Sequence, residues 1–210
     1  MTAPATRPSR RLKTALGLGA AAVLAVALPA LAQPRLATAV FAGGCFWTME
    51  HGLEETPGVV RAVSGYAGGR EANPSYEQVS SETTGHLEAV EVTYDPARIS
   101  YAQLVNRYWH LTDPTDGGGQ ACDRGASYHP AIFVANPAEQ RIAQASAAEI
   151  QRGPLHGKPV ATSIRPATRF WPAEEYHQQF TRKNPLRYAA YRVGCGRDNV
   201  LRALWGEVPK

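Results

Sequence analysis

One cysteine stands at a break in the chain where reactive groups are often placed. The segment Gly43-Gly44-Cys45-Phe46-Trp47 follows an apolar run, Thr38 to Ala42, that reads as a buried strand, and it precedes a helical pattern through about Glu54. Cys45 is therefore expected at a helix N-terminus, where free N–H groups and the macrodipole favour an anion. Such a position can lower a cysteine pKa from ~8.5 into the range of roughly 3.5–7.5, which predicts a thiolate. A small buried hydrophobe is the alternative reading.

A carboxyl group in a predicted strand is the second candidate. In the segment Leu87 to Tyr94, Glu88 alternates in phase with Val90 and Val92 and so shares their inward face. Burial raises a carboxyl pKa and favours the neutral, proton-donating form, so Glu88 could act as a general acid. A strand-end residue that reaches water, or a buried ion pair, would be the structural explanation of the same pattern.

The three cysteines, Cys45, Cys122 and Cys195, lie far apart and form no Cys-x-x-Cys pair. This spacing argues against a thioredoxin-like dithiol and a zinc knuckle, so we expect no metal site. In an oxidising compartment, an odd count leaves one thiol free or one pair that cycles. The stretch from Asn184 onwards reads as an irregular, mobile tail, which would let Cys195 travel.

The elements that must position these residues follow the order strand, helix, strand, strand, helix, strand, and then a further helix, strand and tail. This order predicts an α+β fold: a ferredoxin-like split βαβ two-layer sandwich with an irregular C-terminal tail. We predict no internal repeat and no second domain. The later segments are predicted as follows: strands Val59–Tyr66, Ala131–Val134 and Val160–Ile164, helices beginning after Ser100 and Asn136, and a short helix Glu174–Arg182.

The first 32 residues have the composition of a secretory signal peptide. A basic start without acids precedes the apolar run Ala15 to Leu28, and Ala30-Leu31-Ala32 is a small-x-small cleavage signature. The apolar run is short for a membrane span, although an uncleaved anchor is the alternative. We expect a mature single domain, residues 33–210, that is exported to the periplasm. Ser9-Arg10-Arg11 allows the twin-arginine route as well as the general secretory route.

The predicted signal peptide also accounts for the basic charge. It holds four of the 22 Lys and Arg residues and none of the 18 Asp and Glu residues, which leaves 18 of each in the mature chain. A near-neutral mature chain gives no ground for a nucleic-acid partner. We expect a monomer without stable membrane association once the signal peptide is cleaved.

Five motifs together resemble the peptide methionine sulfoxide reductase A family. They appear in family order and span essentially the whole predicted mature chain, which makes the ordered set far more specific than any one of them. The motifs are Gly43-Gly44-Cys45-Phe46-Trp47, Gly65-Tyr66-Ala67-Gly68-Gly69, Thr84-Gly85-His86-Leu87-Glu88-Ala89-Val90, Tyr94-Asp95-Pro96 and Ala173-Glu174-Glu175-Tyr176-His177-Gln178.

The resemblance implies reduction of the S epimer of methionine sulfoxide, free or in proteins, to methionine. Cys45 would attack the sulfoxide sulfur while Glu88 protonates its oxygen, a contribution of typically about 10²–10⁴-fold for a well-placed acid. Cys45 would become a sulfenic acid, which Cys195 would convert to a disulfide. A thioredoxin-type external dithiol would then reset the enzyme, without a metal or organic cofactor.

The resemblance also implies a substrate pocket. Phe46 and Trp47 match the residues that receive the methyl group of the substrate. Tyr66, Asp123 and Tyr128 match polar residues that hold the sulfoxide oxygen or order the site. All five therefore count as candidate substrate-binding residues.

Two features depart from the family pattern. Cys122 precedes Asp123 where many relatives have asparagine, and we interpret Cys122 as a bystander, with a second resolving thiol or off-pathway disulfides as alternatives. The export signal is the other departure, because cytoplasmic thioredoxin could not reach an exported enzyme directly. The physiological reductant therefore stays open at this point.

Two other functions fit parts of the sequence. An exported Cys/His acyl-transfer hydrolase would need a histidine such as His86 beside Cys45, and it would leave the buried-face glutamate without a role. A non-enzymatic exported binding module would use a permanent Cys45–Cys195 bridge as a staple. Both alternatives make different predictions about the neighbours of Cys45.

Overall fold

The computed structural model describes residues 1–2 and 35–206. The predicted signal peptide, apart from its first two residues, lies outside the described residues. The strands are β1 Ala37–Ala42, β2 Val59–Ala67, β3 Leu87–Tyr94, β4 Gly119–Gln120, β5 Asp123–Arg124, β6 Ala131–Val134, β7 Ser163–Pro166 and β8 Trp171–Pro172. The helices are α1 Phe46–Glu54, α2 Tyr76–Ser80, α3 Tyr101–His110, α4 Pro137–Arg152, α5 Phe180–Lys183, α6 Pro185–Cys195 and α7 Arg197–Trp205.

A central sheet with the strand order β7-β6-β1-β3-β2-β8 carries the candidate residues. Every neighbouring pair is antiparallel except β6 and β7. In this register Tyr66 of β2 lies opposite Glu88 of β3, and Ala42 at the end of β1 lies opposite Ala89. The chain therefore leaves β1 for Cys45 beside the start of β3, where Glu88 lies. The predicted mixture of helices and one sheet, an α+β fold, is confirmed.

A separate hairpin pairs β4 with β5 through the two-residue connection Ala121–Cys122. Ala121 has a φ of 52°, in the left-handed region that tight hairpin turns require. The turn leaves the Cys122 side chain exposed, whereas Asp123, the first residue of β5, is partly buried. This hairpin lies within the glycine-rich stretch Asp116–Gly125.

The helices form where the sequence provides both a cap and an apolar face. The Ser100 side chain accepts the backbone N–H of Gln103, and the Gln103 side chain accepts that of Ser100, which is a capping box. Asn136 caps α4, whose first residue is Pro137. Helix α3 packs against α4, and α1 packs against β2 and β3. The apolar cluster between these helices and the sheet includes Phe41, Phe46, Met49, Tyr66, Val90, Val92, Leu104, Tyr108 and Trp109.

The C-terminal part of the chain is helical through residue 205, so the predicted irregular tail is wrong. Pro185 is well suited to a first helical position because it has no N–H to leave unpaired, and Gly196, with a φ of 68°, separates α6 from α7. The buried guanidinium of Arg197 then ties the start of α7 to the backbone oxygen of Gly43 at 2.8 Å. The sequence of α6 and α7 shows no clear apolar stripe, because only Tyr188, Arg197 and Leu201 are buried in these two helices.

Two further predicted elements are displaced. The predicted strand Val160–Ile164 is found as β7, Ser163–Pro166, because its pairing with β6 and not its own alternation sets its ends. The predicted helix Glu174–Arg182 is a series of turns followed by α5, because Gln179 adopts a φ of 51° and interrupts any continuous helix. Within residues 35–206, none of the helices is long and apolar enough to cross a membrane.

Candidate active site

Cys45 occupies the N-cap position of α1, as the sequence predicted. Its backbone oxygen accepts the N–H groups of Thr48 and Met49 at 3.2 and 3.3 Å, which begins the helix. The side chain is only 6% exposed. Gly44 precedes it with a φ of +74°, and a Cβ atom there would lie 2.5 Å from the Gln120 side chain. A glycine is therefore needed for the chain to enter the helix at this angle.

Glu88 lies directly against the residue that follows Cys45. Its Oε2 atom accepts the backbone N–H of Phe46 at 2.9 Å, and the side chain is 4% exposed. Burial raises the pKa of Glu88 to about 8, the nearby Asp123 adds to the rise, and the Phe46 N–H opposes it. The carboxyl group is therefore neutral at pH 7, and the predicted direction of its pKa shift is confirmed.

The thiol of Cys45 does not have the low pKa that its helix position predicted. Burial raises the pKa of Cys45 well above the ordinary value, and the charges of Glu88 and Asp123 raise it further. The opposing contributions are hydrogen bonds from the Tyr191 hydroxyl and the Trp47 backbone. The predicted resting thiolate is wrong in this state because desolvation acts on the whole charge, whereas a helix end supplies only a partial one.

Aromatic rings pack around Phe46 and Trp47, the two residues that follow Cys45. The rings of Phe46 and Tyr66 have centroids 6.0 Å apart, and those of Phe46 and His177 are 4.8 Å apart. Trp47 stacks on Phe180 with centroids 3.7 Å apart, and its indole N–H donates to Nδ1 of His177 at 3.0 Å. Phe46 and Trp47 are therefore held in fixed orientations next to Cys45. Their rings form an apolar surface on which a methyl group could pack.

The predicted polar residues Tyr66 and Tyr128 both come close to Glu88. The Tyr66 hydroxyl donates to Oε2 of Glu174 at 2.9 Å, and the other oxygen of Glu174 accepts the backbone N–H of Tyr76 at 2.8 Å. The Tyr128 hydroxyl interacts with that of Tyr76. Burial is the main cause of the raised pKa of all three tyrosines, and the charge of Glu88 adds to it. They remain neutral hydrogen-bonding groups around the acid.

Asp123 is the point at which the separate parts of the site meet. Its carboxylate accepts the backbone N–H of Cys45, and its Oδ2 atom accepts the Tyr191 hydroxyl at 2.6 Å. The sulfur of Cys195 lies 3.9 Å from the same oxygen, and the sulfur of Cys122 lies 3.8 Å from Oδ1. One carboxylate thus connects the start of α1, the end of α6 and the β4–β5 hairpin.

Cys122 and Cys195 are joined in a disulfide, and Cys45 is a free thiol. The interpretation of Cys122 as a bystander is therefore wrong. A sequence separation of 73 hides the proximity of these cysteines, and only the packing of α6 against the hairpin brings them together. The bond also differs from the Cys45–Cys195 staple that the binding-module alternative requires.

A metal centre and a Cys/His catalytic pair find little support at this site. In the part of the chain that the structure describes, Cys122, Asp123 and Cys195 form the one metal-compatible cluster, but its sulfurs are bonded to each other. The ring nitrogens of His86 are within hydrogen-bonding distance of the Gly69 N–H and the Glu71 carbonyl oxygen. His86 is therefore a structural residue and not a base for Cys45.

Sequence reasoning missed two residues of the site. Tyr191 lies one helical turn before Cys195, and this spacing was a usable signal because residues four apart share a helix face. Arg197 is 2% exposed, and its Nη2 atom donates to the backbone oxygens of Gly43 and Leu111 at 2.8 and 2.7 Å. No sequence pattern marks Arg197, since arginine is ordinarily exposed.

Comparisons with known proteins agree with this geometry. The family model described as "Peptide methionine sulfoxide reductase" matches residues 37–208. A curated relative from Caulobacter vibrioides, "Peptide methionine sulfoxide reductase MsrA 2", is 54% identical over 187 residues, which cover 89% of this chain and 94% of the relative.

Solved structures give the same result. The methionine sulfoxide reductase A of Corynebacterium diphtheriae is similar with a TM-score of 0.65 and 34% identity, over 74% of this chain and 78% of that one. Mxr1 from Saccharomyces cerevisiae in reduced form has a TM-score of 0.66 and 32% identity, over 72% of this chain and 87% of that one.

Proposed function

The chain belongs to the peptide methionine sulfoxide reductase family, and from that premise we propose how its residues carry out the reaction. The protein is a thiol-dependent enzyme that reduces methionine sulfoxide to methionine, and we assign it the S epimer. The observation that carries the mechanism is the position of Glu88, a neutral acid whose Oε2 atom lies 2.9 Å from the backbone nitrogen next to Cys45.

In the chemical step, the Cys45 sulfur attacks the sulfoxide sulfur while Glu88 gives a proton to the sulfoxide oxygen. A sulfoxide sulfur is a good electrophile only when its oxygen gains a proton as the new bond forms. The protonated oxygen then bonds to the Cys45 sulfur while the substrate S–O bond and the new bond between the two sulfurs break, which leaves Cys45 as a sulfenic acid and releases methionine. Because the resting thiol holds its proton, Cys45 must lose it for the attack, within hydrogen-bonding reach of Tyr191. That proton replaces the one that Glu88 gives to the oxygen, so the acid is neutral again when the step is complete.

Substrate binding uses the two sides of the pocket differently. Phe46 and Trp47 supply the apolar wall for the methyl group and the side-chain carbons. Tyr66, Tyr128 and Asp123 order the polar side, where the sulfoxide oxygen meets Glu88. Support comes from the short contacts that fix these groups, such as the bond of 3.0 Å between Trp47 and His177.

Recycling then uses both remaining cysteines in sequence. Cys195 attacks the sulfenic sulfur, which forms a Cys45–Cys195 disulfide and releases water. Cys122 attacks Cys195, which returns Cys45 to the thiol and gives the Cys122–Cys195 disulfide present in the structure. Cys195 acts first because its sulfur lies near the Asp123 oxygen that contacts Tyr191, whereas Cys122 lies on the other, exposed side.

The final reduction requires an external dithiol of thioredoxin type, and no organic cofactor takes part in the proposed cycle. Two thiols of the reductant open the Cys122–Cys195 bond and leave as a disulfide. The exposed position of Cys122 at a hairpin turn makes it the sulfur that a reductant protein can reach. The net reaction converts methionine sulfoxide and a dithiol to methionine, a disulfide and water.

We further propose that the mature enzyme, residues 33–210, is a monomer exported to the periplasm to repair oxidised proteins there. The basic and then apolar composition of residues 1–32, ending in Ala30-Leu31-Ala32, supports this proposal. Export proceeds by the general secretory or the twin-arginine route.

We also propose a ferredoxin-like split βαβ plan for the core. The antiparallel order β6-β1-β3-β2 supports it, together with α1 between β1 and β2 and α3 between β3 and β6. The short strands β7 and β8 extend this core at its two edges.

An epimer-resolved assay with dithiothreitol tests the function. The mature chain should convert the S epimer of methionine sulfoxide and leave the R epimer unchanged. Cys45→Ser should abolish the reaction, and substantial residual activity in that variant would refute the assignment. Hydrolysis of an activated ester without any reductant would instead favour the acyl-transfer alternative.

A further inference from the structure

Tyr191 connects α6, the helix that ends at Cys195, to the catalytic sulfur. It lies in α6, one turn before Cys195, and its hydroxyl donates to Oδ2 of Asp123 at 2.6 Å. The same hydroxyl interacts with the Cys45 side chain. Its ring meets Trp47 edge to face, with centroids 6.0 Å apart. Tyr191 thus contacts the nucleophile, the connecting carboxylate and the pocket wall together.

The surroundings of Cys45 otherwise disfavour a negative sulfur. The thiol is buried, and two carboxyl groups, those of Glu88 and Asp123, lie close enough to act on it. The Tyr191 hydroxyl and the backbone N–H of Trp47 both favour the thiolate. A tyrosine hydroxyl can donate one hydrogen bond at a time. Tyr191 can therefore donate to Asp123 when Cys45 is a thiol, and to the Cys45 sulfur when that sulfur carries a negative charge.

We propose that Tyr191 is a further catalytic residue of this reductase, whose hydroxyl stabilises the negative charge that forms on the Cys45 sulfur when the thiol loses its proton for attack on the substrate. The inference rests on the proposed function. Since Tyr191 and Cys195 are one turn apart in α6, docking of this helix both activates the nucleophile and presents the recycling thiol. Reduction and recycling would thereby depend on the position of one helix.

The test uses a chain in which Cys45 is the only thiol, obtained by changing Cys122 and Cys195 to serine. The chain has three cysteines, so the rate of alkylation by iodoacetamide, measured over a range of pH, then reports the Cys45 thiolate alone. Adding Tyr191→Phe should slow single-turnover methionine release from the S epimer about tenfold or more, as expected for a lost bond to a charged group. The thiolate titration, read from the pH dependence of alkylation, should move to higher pH.

Tyr188→Phe is the matched control, because Tyr188 is a buried tyrosine of the same helix whose hydroxyl accepts a bond from Arg192. It should leave both the rate and the thiolate titration unchanged. An unchanged single-turnover rate or an unchanged titration in Tyr191→Phe would overturn the proposal, as would equal losses in the two variants. Failure of the Cys45-only parent to release about one methionine per enzyme would instead refute the proposed function.

Discussion

At the residue scale, the site pairs an acid that is neutral at pH 7 with a thiol that also retains its proton. Burial raises the pKa of Glu88 to about 8 and raises that of Cys45 further. The carboxylate of Asp123 adds to both shifts. The Cys45 sulfur therefore has to lose a proton while the sulfoxide oxygen gains one. One proton leaves the attacking sulfur, and the other arrives at the oxygen on the sulfur that is attacked.

Changing Glu88 to Gln should remove the proton that the sulfoxide oxygen needs. Single-turnover release of methionine should slow by about 10²–10⁴-fold at pH 7. In the unchanged enzyme, the protonated acid is lost as pH rises through about 8, so the contribution of Glu88 should fall above that pH.

Rapid quenching at a series of pH values measures the single-turnover rate of methionine release in both proteins. The Glu88→Gln variant should show no decline centred near pH 8, because it has no proton to lose there. An unchanged single-turnover rate in this variant would refute the acid role. Glu91→Gln is the control, since Glu91 lies on the other face of the same strand.

Serine variants of the two recycling cysteines should stop the catalytic cycle at different stages. With thioredoxin as reductant, Cys195→Ser should release about one methionine per enzyme and accumulate the sulfenic acid of Cys45. Cys122→Ser should also stop after about one methionine but should accumulate a Cys45–Cys195 disulfide. Mass spectrometry of the trapped proteins distinguishes these species. A sulfenic acid in Cys122→Ser would reverse the proposed order of the two thiols.

At the element scale, two links tie α1 to parts of the chain more than a hundred residues away. Arg197 at the start of α7 binds the Gly43 oxygen just before the helix. Glu50, in the middle of the helix, accepts the backbone N–H of Gln179 through Oε2 at 3.0 Å. Since Phe180 follows Gln179 and His177 lies two residues before it, this second link also supports the two side chains that contact Trp47.

Glu50 should make stability depend on pH. Burial raises its pKa to about 7, above the unfolded value of roughly 4.3. A carboxyl whose folded pKa is raised contributes stability that is complete below the unfolded pKa and is lost as pH rises through the folded one. Glu50→Gln keeps an acceptor for Gln179 and removes the charge.

The variant should therefore gain stability above pH 7. We expect a rise in Tm of about 2–4 °C at pH 8, equivalent to about 1 kcal/mol. At pH 4 the change should be small, because Glu50 is then protonated in the folded state and mostly protonated in the unfolded state. Thermal melting of the two proteins at both pH values measures the difference, and an equal shift at pH 4 and pH 8 would contradict the explanation.

At the scale of the whole molecule, the proposed signal peptide and the folded domain should behave as separate parts. Expression of the full chain in a bacterium should yield a periplasmic protein whose first residue is near Gln33. Mass spectrometry of the periplasmic fraction measures the mature N-terminus. Recovery of the intact chain in the membrane fraction would instead indicate an uncleaved anchor. Mutation of Arg10 and Arg11 to Lys should block export only if the twin-arginine route is used.

The local sequence alone determined most of the elements and the environment of the acid. The strand Leu87–Tyr94 and the strand Ala131–Val134 were predicted with the bounds that the structure has. Their alternation and the turn residues beside them act over a few residues, so no distant contact is needed to define them. The burial of Glu88 follows from the same period of two.

Only the tertiary structure decided which distant groups meet. Three contacts join segments that no local pattern relates. They are the Cys122–Cys195 bond, the hydrogen bond from Tyr191 to Asp123 and the hydrogen bond from the buried Arg197 to Gly43. The Cys45 pKa was mispredicted for the same reason. A helix end is a local feature, but desolvation of the sulfur depends on every element packed around it, and here that larger effect outweighs the helix dipole.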